Sequence, residues 1–310
     1  MYLTLEKIRK QYDDKVAVDD LSLSVPKGAI YGIIGPNGAG KTTTIRMIMN
    51  IIAPDSGRIL FDGREVDGSF VDRVGYLPEE RGLYKKMVVS EMITYMAELK
   101  SCPASKARER IDPWLEKMDL ARYKDSKVEE LSKGMSQKLQ FITTIIHEPD
   151  IVILDELFSG LDPLNIEIIK GVLLDLKRQG KTILFSTHVM EQAEKLCDYI
   201  CMISRGKKVI DGKLSDVKAR FGSNVMQVDM EGDGAFVRSL PGVKGMNEFN
   251  NYIEIEFEDG ADSDAILRGI IQKVKVRRFE VMEPSLYRIF IEMAKVDPST
   301  LQQQEGGANV

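Results

Sequence analysis

Eight residues, GPNGAGKT at positions 35–42, limit what this chain can become more than any other stretch. They fit the pattern of glycine, any four residues, glycine, lysine, then serine or threonine. The glycines let successive backbone N–H groups turn inward around phosphate oxygens, and a helix starting there adds its positive end. Lys41 can reach the β- and γ-phosphates, and the Thr42 hydroxyl can ligate Mg²⁺. The pattern carries this meaning only between a strand and a helix. Here the apolar run AIYGII precedes it, and TTTIRMIMNII follows as a helix that stops before Pro54. The loop therefore predicts a nucleoside triphosphate site, with Gly35, Asn37, Gly38, Gly40, Lys41, Thr42 and Thr43 as nucleotide-binding residues.

Two further apolar runs end in reactive groups. IVILDE (151–156) closes on Asp155 and Glu156, and TILFST (182–187) runs into His188. A helical pattern from 165 to 178 separates them. Short strands alternating with helices predict an α/β layer with a mainly parallel sheet, whose ligands bind at the strands' C-terminal ends. There Asp155 can hold Mg²⁺ through water and Glu156 can polarise an attacking water. His188 can hydrogen-bond a γ-phosphate, or it can be purely structural. His147, the only other histidine, precedes Glu148 and Pro149, where a helix-end capping role is expected. Residues 85–147 lack clear strands and predict a helical insert.

Charge and cysteine content exclude several classes. A net charge of -5 and a pI near 5.4 give no general attraction to nucleic acid or anionic lipid. Three cysteines without paired spacing predict reduced thiols in a cytosolic protein. Cys197 and Cys201 resemble a metal pair, but no histidine or further cysteine lies near in sequence to complete one. The N-terminal residues lack an apolar signal region, and no apolar run approaches the ~20 residues needed to cross a bilayer. Any membrane spanning is therefore expected of another polypeptide.

Near Gly222 the pattern changes. VMQVDM alternates, a short helical candidate covers 236–240, and VKGMNEF reads as a strand. Asn250 and Asn251 suit a tight turn before YIEIEFE, which alternates apolar and acidic throughout. A helix, ADSDAILRGIIQK, and a strand, VKVRRFEVM, follow. This β-α-β-β-α-β order predicts a small α+β, ferredoxin-like domain over 223–295, closed by a helix from 284 to about 294. The tail, 296–310, has little to bury and is expected to be disordered.

Taken in order, the phosphate loop, the acidic strand end and the strand ending at His188 resemble the ATP-binding subunit of ABC transporters. The resemblance spans about residues 1–222 and implies a P-loop NTPase core, ATP and Mg²⁺ as cofactors, and ATPase activity. It assigns adenine stacking to Tyr12 and the Q-loop position to Glu79, with a metal-ordering role beside Thr42 and Asp155. LSKGM (131–135) becomes the signature segment, Asp155–Glu156 the Walker B pair, SGLD (159–162) the D-loop and His188 the switch histidine. Three positions depart from the family pattern. Glu79 stands where glutamine is usual, Lys133 and Met135 replace glycine and glutamine of the signature, and Leu157 replaces a common proline. YLPEERGLY and EPSLYRIFIEM further resemble a sodium- and drug-export subgroup of bacterial and archaeal members.

The segment LSKGMSQ (131–137) runs into apolar Met135, Leu139, Ile142 and Ile146 at helical spacing. Ser132 and Gly134 thus fall at a helix N-terminus, which favours an anion; Ser132 as a plain helix cap explains it equally well. The resemblance implies that Ser132, Gly134 and Asp162 serve the ATP of a second subunit in a head-to-tail homodimer or a pair with a related ATPase. It also implies an integral membrane permease as partner, docked over 79–100, and a peripheral position on the inner face of the cell membrane. Met92, Tyr95, Met96 and Leu99 suit that contact or ordinary packing. The alternative is a soluble family member acting on nucleic acid or the ribosome. Against it stand a single phosphate loop and no sustained heptad run.

Overall fold

The computed structural model describes residues 1–296 except positions 67, 81, 222–224, 250 and 259. These residues form two units, one from Met1 to Lys213 and one beginning at Leu214.

The first unit opens with a hairpin of β1 (Leu3–Tyr12) and β2 (Lys15–Val25). β3 (Ile30–Ile34) then leads through the glycine loop into α1 (Lys41–Ile48). β4 (Ser56–Phe61) and β5 (Arg64–Glu65) return to the hairpin, giving an antiparallel sheet of order β2-β1-β4-β5. Leucine and isoleucine of β1 and β2 pack with Tyr31 and Ile33 of β3 and Ile45 and Ile48 of α1 in one buried cluster. This second sheet was not anticipated from the sequence.

β6 (Val74–Leu77) precedes the helical insert, which holds α2 (Val89–Glu98), α3 (Ala104–Lys117) and α4 (Lys133–Ile145). The chain then alternates β7 (Ile151–Leu154), α5 (Pro163–Arg178), β8 (Thr182–Thr187), α6 (Met190–Leu196), β9 (Tyr199–Ser204) and β10 (Lys207–Lys213). The main sheet has the order β10-β9-β3-β8-β7-β6. All its pairs are parallel except β10 with β9. β3, β7 and β8 are buried at every residue, as expected of parallel strands covered on both faces. Register fixes the site: Ile34 lies beside Thr187, Leu154 beside Phe185 and Leu77 beside Leu154. The residues that follow these strands therefore emerge along one edge.

The second unit starts with α7 (Leu214–Arg220), so the division falls after Lys213 rather than near the expected Gly222. β11 (Val225–Glu231), β12 (Val243–Glu248), β13 (Ile253–Phe257) and β14 (Lys275–Met282) form an antiparallel sheet of order β12-β13-β11-β14. Numbered within the unit this is 2-3-1-4, the ferredoxin-like arrangement. The first expected helix is only a 3-10 turn, Ala235–Ser239, because five residues between Gly234 and Leu240 cannot propagate an α-helix. α8 (Ser263–Ile271) lays Ile266 and Ile270 on the core of Met226, Val228 and Ile255. α9 (Leu286–Val296) begins two residues later than expected. The Asn250–Asn251 turn and the tail expected over 296–310 fall, except for Asn251 and Val296, outside the described residues. Among the described residues, no helix is long and apolar enough to cross a membrane.

Candidate nucleotide site

Gly35 leaves β3 with φ 155°, and a Cβ built on it would lie 2.1 Å from the Ile203 carbonyl oxygen. Gly40, with φ 107°, caps the start of α1 and approaches the Ala17 carbonyl so closely that a Cβ would meet it at 2.4 Å. Only glycine fits such positions. The loop folds back on its own lysine: Lys41 Nζ donates to the carbonyls of Gly35 at 2.9 Å and Pro36 at 3.2 Å. Lys41 is 5% exposed and also pairs with Glu156 Oε1 at 3.1 Å. A buried ammonium needs such partners.

The acidic pair stands at the tip of β7. Asp155 Oδ1 accepts from Ser186 Oγ of the adjacent β8, and the same hydroxyl accepts from the Glu156 backbone N–H at 3.0 Å. Burial raises the Asp155 pKa above the usual carboxylate range, against the hydrogen bonds of Ser186 and Thr42, which lower it. Its Oδ2 is buried with no protein partner. Glu156 adopts φ 50°, a left-handed backbone that costs a non-glycine residue about 1 kcal/mol or more. That turn aims its carboxylate back at Lys41 and at His188, whose Nδ1 lies 2.9 Å from Glu156 Oε2. Leu157, at the position of the common proline, is 1% exposed; its carbonyl accepts from Gln137 Nε2 at 2.6 Å.

These groups enclose a cavity of about 480 Å³. Asn37, Gly38, Gly40, Lys41, Thr42 and Thr43 line its floor, with Glu79, Glu156 and His188 on one side. Tyr12, Lys15 and Ala17 line it from the β1–β2 hairpin, and Tyr12 is 45% exposed, with Lys10 Nζ 5.8 Å from its ring centroid. The donor set fits Mg²⁺. Asp155 supplies an unpartnered buried oxygen beside the Thr42 hydroxyl, and Glu79 lines the same cavity. Among the described residues, no cluster of three or more His, Cys, Asp or Glu side chains is built to hold a metal alone. An ion here must therefore take further oxygens from nucleotide and water.

Ser132, Gly134 and Asp162 are not among the residues lining that cavity. Ser132 is exposed and its Oγ accepts from Met135 N–H at 3.3 Å, so it does cap α4. Asp162 caps α5 by accepting from Asn165 N–H at 2.9 Å, and these hydrogen bonds lower its pKa. Asn165 in turn approaches Gly134, where a Cβ would lie 3.2 Å from Nδ2. The signature and D-loop segments are thus neighbours on an exposed face.

The ABC transporter model matches residues 18–159, and the model of the DrrA1-3-like ATP-binding protein C-terminal domain matches 212–294. The ABC transporter ATP-binding protein YhaQ of Bacillus subtilis is 41% identical over 290 residues, covering 94% of this chain and 97% of that one. The chain belongs to the ABC transporter ATP-binding proteins. It is an ATPase of that family with a DrrA-like C-terminal domain. Nod factor export ATP-binding protein I of Ralstonia nicotianae is 38% identical over 230 residues, 73% of this chain and 72% of that one. A solved ATP-binding subunit of an ABC transporter superposes with a TM-score of 0.67 at 31% identity, covering 72% of this chain and 94% of that one.

Some expectations need correction or addition. His147 does not cap α4; its Nε2 lies 3.3 Å from the Val74 carbonyl of β6, and burial lowers its pKa to about 4. Cys102, Cys197 and Cys201 are all free and buried, and burial raises the Cys197 and Cys201 thiols out of the reactive range. Ser186, Gln137 and Asn165 hydrogen-bond Asp155 and Glu156, Leu157, and Asp162 in turn, and no sequence motif marks them. Ser186 had one available signal, a hydroxyl two positions before the strand-tip histidine.

Proposed function

We propose that this chain is the ATP-hydrolysing subunit of an exporter, that two copies or one copy and a related subunit pair head to tail on ATP, and that the pair drives a separate integral membrane permease from the inner face of the cell membrane. The observation that carries this reading is the split placement of phosphate-seeking groups. Lys41, Thr42, Asp155, Glu156 and His188 share one edge, while Ser132 and Gly134 lie at a helix N-terminus outside their own chain's cavity. A two-fold pair brings each exposed helix end to the other's phosphate loop, as an isologous interface requires. Export is supported by the name of the Nod factor relative.

The triphosphate binds along the backbone N–H groups of residues 35–43, with Lys41 against its β- and γ-phosphates and Tyr12 beneath the adenine. Mg²⁺, held by Thr42 and through water by Asp155 and Glu79, would neutralise phosphate charge. The γ-phosphate competes with Glu156 for the Lys41 ammonium. Glu156 then orients a water and accepts its proton as the water oxygen bonds to the γ-phosphorus. The bond from that phosphorus to the bridging oxygen breaks, and ADP takes up the released charge. His188 hydrogen-bonds the γ-phosphate and steadies Glu156. Loss of the shared phosphate removes what Ser132 and Gly134 grip in the other copy, and the pair opens. Asp162, bonded to the Asn165 that approaches Gly134, ties the two sites together.

The docking face is supported by a groove of about 170 Å³ lined by Tyr76, Pro78, Leu83, Met96, Leu99 and His147. Met92 is fully buried in its own domain, whereas Tyr95 and Leu99 are exposed. Along this one stripe, burial at Met92 gives way to exposure at Tyr95 and Leu99, towards the end of α2. Phosphate release by Glu156→Gln tests the mechanism. A fall of at least about 10²-fold with ATP binding retained is expected, and turnover near wild type would remove Glu156 from its role.

A further inference from the structure

Lys133 occupies the first turn of α4, where the helix dipole disfavours a cation. Its side chain does not simply extend into solvent. It turns towards its own D-loop, where a Cβ placed on Gly160 would come within 3.2 Å of Nζ and 3.3 Å of Cε. Gly160 has φ 73°, so the loop bends beneath the lysine. Behind that loop lies a second cavity of about 160 Å³, lined by Glu79, Lys133, Gln137, Asp155, Glu156 and Ser159 among others. Glu79, Glu156 and Ser159 also line the 480 Å³ nucleotide cavity. This wall of three side chains therefore borders both the nucleotide cavity and the cavity that Lys133 lines.

Charge decides what the lysine does there. The small cavity gathers three carboxylates, Glu79, Asp155 and Glu156, and Lys133 is the only cation among the described residues lining it. Glu156 is held by Lys41 and His188, and Asp155 by Ser186, within the wall itself. Glu79 and Lys133 are the exposed members among these charged groups. One adds a negative charge to a site that must take a polyanion, and the other adds a positive charge behind it.

We propose that Lys133 is a positioning residue for its own chain's nucleotide site, offsetting the charge that Glu79 adds and holding the bend at Gly160 against the acidic wall. This rests on the proposed placement of ATP at residues 35–43. It adds that the signature segment acts within its own chain as well as across the pair. The lysine touches no reacting atom and works through Glu79 and Glu156.

The test uses the full chain at a concentration where its mass is that of one copy. Binding of a fluorescent ATP analogue is measured in EDTA, so that neither hydrolysis nor metal enters. Lys133→Gln is expected to weaken binding by about two- to fivefold, the range of an exposed charge pair, and Glu79→Gln to tighten it similarly. The double variant should return close to wild type. Both shifts should shrink when salt is raised from about 0.05 to about 0.5 M, because exposed charges are screened. Shifts in the same direction, or shifts that persist in high salt, would make Lys133 a merely structural residue. An unchanged Lys133→Gln would confine it to the partner's site; either result overturns the proposal. Wild-type protein that fails to bind the analogue overturns the placement of ATP itself, and this inference with it.

Discussion

Two stretches of this molecule carry glycine and a hydroxyl at a helix N-terminus, and their surroundings differ sharply. At 35–42 the helix start is ringed by Glu156 of β7's tip, His188 beyond β8 and the β1–β2 hairpin, with Lys41 buried in their midst. At 131–137 the helix start emerges from the insert, and Ser132 turns its hydroxyl back to its own backbone. A helix dipole alone contributes only about 0.3–1 kcal/mol to holding an anion at an exposed site. The first stretch adds a buried lysine and, beside it, the carboxylates of Asp155 and Glu156. The second adds Gly134, the exposed Lys133 and a D-loop held beside them by Asn165. On the proposed reading, one is a site and the other is half of one.

The largest expected effect breaks the first stretch alone. Lys41→Ala should lower phosphate release by about 10³-fold, because it removes the main fixed charge against the γ-phosphate. A residual rate within tenfold of wild type would show that the buried lysine serves the loop rather than the nucleotide. Next in size, Gly134→Asp sharpens the comparison by placing a carboxylate at the second helix start. Hydrolysis should fall about tenfold or more through repulsion of the other copy's phosphate, while ATP binding by a single copy stays within about twofold. Loss of single-copy binding would mean that the second stretch belongs to its own chain's site.

Smaller effects concern stability. Ser132→Ala should cost about 1 kcal/mol of cap energy, read as a lower Tm. No change would show that the hydroxyl is held free for a ligand. His147 gives a pH signature in the insert. Burial holds its folded pKa near 4, below the ordinary value, so the unfolded chain binds the extra proton first. Its contribution to stability is intact above about pH 6.5 and is lost as pH falls towards 4. His147→Gln should therefore flatten the stability profile between those values, measured by urea unfolding. A profile parallel to wild type would contradict the burial argument.

The contrast also governs how much could be read in advance. β3, β7 and β8 were legible because each is a short, mostly apolar and β-prone run ending in chemistry, and parallel register alone aligns their tips. The N-terminal sheet was not. Lys7 and Asp20 take positive φ, the β1–β2 register shifts along its length, and the period-2 pattern breaks where it would have been recognised. Ser186 was hidden for the opposite reason, a polar residue inside a buried strand whose partner, Asp155, is 31 positions away. In the second unit, alternation at Ile253–Phe257 survived because one face is buried and the other half-exposed at every step. The segment before β12 looked helical but is too short to be more than one turn.

The central claim, that the second stretch completes another molecule's site, is tested most directly by the solution mass of Glu156→Gln with and without Mg-ATP. The account predicts one copy without nucleotide and two copies with it, and a return to one copy when Gly134→Asp is added. ATP bound at full occupancy with the mass of a single copy throughout would contradict it.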